Sequence, residues 1–162
     1  MTGRDTDSAA SPFAASSTMP PLRVVLDTNV LLSLYVFADS RFAPLRARLE
    51  RGEWRAVCST PCLDEFRRVL GYPQFKLDPA AQVAAYATYA ERIELAAPRG
   101  MTALPDLPRC QDRDDQKFLE AARDGAAAWL VTADKALLKL ARGRRLEGLF
   151  RILTPEAALA AA

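Results

Sequence analysis

At 162 residues, 50 % hydrophobic and 26 % charged, the chain has the profile of one ordinary soluble domain with a substantial core. It contains no histidine, which excludes Ser-His-Asp and Cys-His nucleophiles, a histidine general base and histidine-ligated zinc. A net charge of +2 selects no partner, and three cysteines, an odd number, do not make a disulfide framework.

Residues 1–20 are rich in Ser, Ala and Thr, lack a hydrophobic period and read as a disordered tail. Their acidic residues and the want of a continuous apolar centre argue against a signal peptide. No apolar run is long enough to cross a bilayer, so no membrane partner and a cytoplasmic location are expected. The folded domain, residues 21–162, opens with LRVVLD, a run that predicts a buried strand ending at Asp27. VLLSLYVFADSRFAPLRARLERGE reads as a helix, an interruption around Pro44 and a second helical piece closed by Gly52; WRAVCS is a second strand. Thr60 and Pro61 predict the N-cap and first position of the helix PCLDEFRRVL, which Gly71 and Pro73 terminate. Asp78-Pro79 opens AAQVAAYATYAERIE, with Val83, Tyr86, Ala87 and Ala90 along one side. ELAAP predicts a short strand, and Pro98 to Pro108 a loop. DDQKFLEAARDG follows as a helix with Phe118, Leu119 and Ala122 as its apolar stripe. AAAWLVT is a buried strand, ADKALLKLARG a helix, FRIL a last strand, and TPEAALAAA a helix capped by Thr154. Strands alternating with helices predict an α/β fold of three layers, α/β/α, around a central parallel sheet.

Four acidic islands stand where a predicted strand ends or a helix begins: Asp27; Glu65; Asp112, Asp114 and Asp115; and Asp134. Open α/β sheets build sites beyond the carboxyl ends of their strands, so the islands are expected at one end of the sheet. Converging carboxylates repel, by about 4 kcal/mol for a pair roughly 4 Å apart at an effective dielectric of about 20. A hard cation such as Mg²⁺ or Mn²⁺ is the natural counter-charge. Against this, an aspartate at a helix start is often only a cap, the preferred reading for Asp112 and Asp114. Glu65 has Asp64 beside it, and both could be solvated helix residues. Cys58, Cys62 and Cys110 read as buried small apolar residues. Arg41, Arg46, Arg48, Arg51 and Arg55, then Arg67 and Arg68, then Lys139, Arg142, Arg144 and Arg145 form basic clusters, suited to RNA phosphates or to a solvated surface. Trp54, Tyr72, Tyr86 and Tyr89 are read as packing first and base stacking second. Lys117 and Lys135 neighbour the acids.

In this order VVLDTNVLLS, CLDEFRRVL, DRDDQKFLEAARDGAAAWLVTADKALL and RILTPEAAL resemble the PIN domain family. In particular they resemble the VapC-like, PIN_3-type bacterial proteins regarded as toxin components of toxin–antitoxin pairs. It covers Leu22 to Leu159. DTN alone is weak; DTN with the spaced D-x-D-D-x-K-F-L and L-V-T-x-D-K-x-L-L strings is strong. The resemblance implies a PIN-like, doubly wound fold over residues 21–162 and one or two bound Mg²⁺ or Mn²⁺ ions. It also implies endonucleolytic cleavage of single-stranded RNA, a cognate antitoxin as partner, and a homodimer such as relatives form. Position by position the family's acids fall on Asp27, Glu65, Asp115 and Asp134. Asp27 and Asp134 are then direct ligands, with Asp115 and Glu65 completing the shell directly or through water. Asp112 matches a recurrent aspartate of the subgroup, and Asp114 competes with Asp115. Asn29 and Thr132 match polar positions that flank the metal. A PIN-like module that binds RNA or protein without cutting is the alternative. A haloacid-dehalogenase-like phosphatase is disfavoured, because it needs a second acid two residues after the first, where Asn29 stands.

Overall fold

Among the residues that the computed structural model describes, 19–97 and 104–161, five parallel strands form one sheet. They are β1 (Leu22–Leu26), β2 (Trp54–Cys58), β3 (Ile93–Leu95), β4 (Trp129–Val131) and β5 (Arg151–Leu153), in the spatial order β3-β2-β1-β4-β5. Val24 of the central strand lies opposite Ala56 on one side and Trp129 on the other. Val24, Val25 and Leu26 are all buried, as a β-branched run covered on both faces should be. Burying such a side chain contributes about 1.5–3 kcal/mol.

The helices are α1 (Thr28–Tyr35), α2 (Ala43–Glu50), α3 (Thr60–Leu70), α4 (Pro79–Ala90), α5 (Gln116–Asp124), α6 (Lys135–Leu140) and α7 (Pro155–Ala161). The chain steps from β1 to β2 to β3 in one direction, then crosses back to β4 and β5. Right-handed crossovers running in opposite directions put their helices on opposite faces of the sheet. α5 accordingly spans β1, β2 and β4, while α2 packs on β2 and also meets α7. The result is the expected three-layer α/β/α fold. Its apolar stripe on α5 is buried as predicted, at Phe118, Leu119 and Ala122. Cys58, Cys62 and Cys110 are free and buried.

Several boundaries differ from the sequence reading. The break between α1 and α2 falls at residues 36–42, where Ala38 adopts a left-handed φ of 46°; Pro44 instead sits in the first turn of α2, where its missing N–H costs nothing. Ser59, not Thr60, caps α3, its hydroxyl accepting from the Cys62 amide. α4 stops at Ala90, and Ile93–Leu95 becomes β3 by pairing with β2. On α4 the buried side is turned from the predicted one: Val83 is 69 % exposed, whereas Tyr89, 1 % exposed, meets Phe66 edge-on at 5.4 Å. An aromatic partner on α3, absent from any local pattern, sets that rotation. The predicted disordered tail lies outside the described residues as far as residue 18, as does the predicted loop from residue 98 to residue 103. Among the described residues no helix is long and apolar enough to cross a membrane.

Candidate active site

The strand order reverses between β1 and β4, and Asp27 and Asp134 follow the carboxyl ends of those two strands. This is the switch point at which doubly wound sheets open a crevice. The Asp27 amide continues the ladder by donating to the Val131 carbonyl at 3.0 Å, and its own carbonyl accepts from Leu31 as α1 begins. Its side chain is only 5 % exposed. Thr132, fully buried, donates its hydroxyl to Asp27 Oδ2 at 2.6 Å and accepts the Asp134 amide at 2.9 Å. One threonine therefore ties the two strand-end acids together. Asp134 Oδ1 caps α6, accepting from the Ala136 and Leu137 amides at 2.7 and 3.3 Å.

Glu65 comes from α3 on the other side of the crevice. It accepts from the Thr28 hydroxyl and from Lys117 Nζ, the latter at 2.8 Å. Asp115 ends a short 3-10 turn, Arg113–Asp115, that leads into α5. Asp27, Glu65, Asp115 and Asp134 line one cavity of about 200 Å³, together with Thr28, Asn29, Tyr72, Gln74 and Phe75. Larger hollows, of about 550 Å³ beside β5 and about 870 Å³ at the amino ends of β1 and β2, bring no such acids together.

Crowded carboxylates hold on to protons. Burial and then the charges of Asp134, Asp27 and Asp112 push the Asp115 carboxyl up to about 7. Burial also raises Asp27, against the opposing pull of the Thr132 hydroxyl. Asp112 and Asp114 are exposed and do not line the cavity. Asp112 caps the 3-10 turn by accepting from the Asp114 amide at 3.0 Å, and the Asp114 carbonyl holds Lys117. The geometry thus separates Asp115 from its neighbour. Asn29 lies on the cavity wall with an exposed side chain, and Lys135 is exposed.

Thr28 escaped the sequence reading, although it sits inside the DTN string; only the packing of α1 against α3 brings its hydroxyl to Glu65. Lys117 was legible only as a neighbour of the acids. Phe75 and Gln74 carried no signal at all.

The donors are all oxygens, held in an excess of negative charge, which suits a hard cation. Among the described residues no three acidic or thiol side chains stand close enough to make a closed ligand set. Mg²⁺ does not require one, because it commonly takes one or two carboxylates and fills its octahedron with water and substrate phosphate. The donor set therefore fits such an ion.

The family model PIN_3, described as a PIN domain, matches residues 23–136, from β1 into the first turn of α6. The chain belongs to the PIN domain family. All four cavity acids lie within the matched span, and PIN domains are generally metal-dependent nucleases. No curated protein matches the chain.

Proposed function

We propose that this PIN domain is a Mg²⁺- or Mn²⁺-dependent endoribonuclease that cleaves single-stranded RNA. In the same reading it is the toxin of a bacterial toxin–antitoxin pair, acts in the cytoplasm and is restrained by a cognate antitoxin. The observation that carries the nuclease reading is the shared cavity at the switch point, where Asp115 is pushed up to about 7 by burial and by Asp134 and Asp27. Asp27, oriented by Thr132, and Asp134 would hold the ion, with Asp115 and Glu65 completing the shell directly or through water. A divalent ion bound there supplies Lewis acidity and an acidified water for in-line attack on a phosphodiester. Asp115 is the better placed proton acceptor, because Glu65 is already engaged by Thr28 and Lys117. The working unit is residues 21–162.

A catalytically silent RNA- or protein-binding module is the second reading, favoured by the Lys117–Glu65 ion pair, which already neutralises one acid. Incubation of the full chain with single-stranded RNA in Mn²⁺, Mg²⁺ or EDTA, beside Asp27→Asn, separates the two. Metal-dependent cleavage that vanishes in the variant, leaving 5′-phosphate and 3′-hydroxyl ends, supports the nuclease. A 2′,3′-cyclic phosphate product, or full activity of Asp27→Asn, refutes the mechanism. Absence of cleavage together with no thermal response to Mn²⁺ favours the silent module.

A further inference from the structure

Beyond the acids, the cavity is walled by Tyr72, Gln74 and Phe75, from the turn that follows α3. The Tyr72 and Phe75 rings are nearly parallel, at 6°, with centroids 6.5 Å apart. Phe37, from the loop after α1, meets Phe75 at 5.7 Å and 60°. Phe37 is 57 % exposed and Tyr72 38 %, although aromatic rings are the side chains that a core or an interface most readily absorbs. Two loops converge to hold them there. The residues after Phe37 and Phe75 are Ala38 and Lys76, with φ of 46° and 51°, a left-handed conformation that disfavours side chains. Arg67 and Arg68 are exposed on the last turns of α3, with Arg68 beside the Tyr72 hydroxyl.

A polyanionic strand gains nothing from the bare carboxylates, so its hold on the protein must come from the cavity's other walls. Flat rings offer that hold to unpaired bases, and flanking arginines offer it to phosphates. Building on the nuclease reading, we propose that Tyr72, Phe75 and Phe37 form a stacking track for unpaired nucleotides leading into the acidic cavity. Gln74 meets a base edge there and Arg68 the adjoining phosphate. The track selects single strands because duplex bases have their faces covered. It is also continuous with the acids, which argues for nucleic acid rather than a second copy of the chain as its occupant. Of the four aromatics that the sequence suggested, Tyr72 alone takes part: Trp54 and Tyr89 are buried, and Tyr86 lies under the Arg67 guanidinium at 4.3 Å.

The test is binding, which needs no turnover. A fluorescent single-stranded hexanucleotide RNA is titrated against the full-length Asp27→Asn protein in Mg²⁺, with and without Tyr72→Ala, Tyr72→Phe or Phe37→Ala, followed by anisotropy. Tyr72→Ala is expected to weaken binding by about tenfold, in line with the loss of one stacked base. Phe37→Ala should lose less, Tyr72→Phe nearly nothing, and melting temperatures should hold. A probe abasic at one position should lose the same factor in the parent and nothing further in Tyr72→Ala. Equal affinity of parent and Tyr72→Ala, or no position-specific abasic loss, overturns the track. So does a dimer, seen by sedimentation, that Tyr72→Ala dissociates without touching RNA affinity, since the rings are then an interface between copies. Cleavage by the wild type with no stacking effect removes the track and leaves the nuclease; stacking without cleavage does the reverse.

Discussion

Asp27, Asp115 and Thr132 carry the site at the scale of single residues. Replacing Asp27 or Asp115 by Asn keeps the shape and removes a charge, so far-UV circular dichroism should be unchanged. On the proposed nuclease reading, RNA cleavage should fall by about a thousandfold or more, the consequence of losing several kcal/mol of metal-borne stabilisation. Thr132 is different, because its hydroxyl is both donor to Asp27 and acceptor for the Asp134 amide. Thr132→Val leaves the buried Asp27 carboxylate and the partly buried Asp134 amide without their partner, at about 1–3 kcal/mol for the buried group. It should lower both the melting temperature and the cleavage rate, whereas Thr132→Ser should restore both. Asp27 was legible because it closes an apolar strand run, and Thr132 only through the resemblance to the PIN family. The Thr28–Glu65 contact was not, since its two residues are 37 positions apart and only helix packing joins them.

Among the elements, α5 holds Asp115 in place, since it packs on three strands and starts directly after that residue. Its end is locked from two sides. Arg23 of β1 donates to the Gly125 carbonyl at 2.7 and 2.9 Å while pairing with Glu94 of β3 at 2.8 Å. A Cβ at Gly125 would come within 2.2 Å of the buried Val57 side chain on β2. Gly125→Ala should therefore destabilise by roughly 1–3 kcal/mol, the usual cost of overpacking. Denaturant unfolding with an unchanged m-value would check it; a neutral result would mean that the end of α5 can move. The existence and order of the elements were readable from period and capping residues. The rotation of α4 was not, because Tyr89 finds its neighbours on α3 and α1.

For the whole molecule, the crowded acids couple stability to pH and, on the proposed nuclease reading, to metal. Asp115 rises from 3.8 to about 7 on folding, and Asp27 rises as well. The folded state therefore holds protons that the unfolded chain releases, so metal-free stability should fall as pH rises from about 4 to about 7. Asp115→Asn should flatten that slope, and a metal-free melting temperature that climbs with pH across the window would contradict the assignment. Saturating Mn²⁺ should restore stability at pH 7.5 and above. At about a hundredfold over its dissociation constant the gain is roughly 2.7 kcal/mol, or some 5–10 °C for a domain of this size. Calorimetry with and without EDTA measures both effects.

Periodicity, capping and composition are local properties, and they suffice to read the α/β class, the strand-end positions of Asp27 and Asp134, and the exclusion of histidine chemistry from the chain. Only the tertiary packing shows that Asp115 rather than Asp114 faces the cavity, that Lys117 pairs with Glu65, and that Tyr72 and Phe75 line the cavity with Phe37 against Phe75. Those outcomes depend on how one helix is rotated against another and on where two loops turn. Such choices are set by packing between segments far apart in the chain.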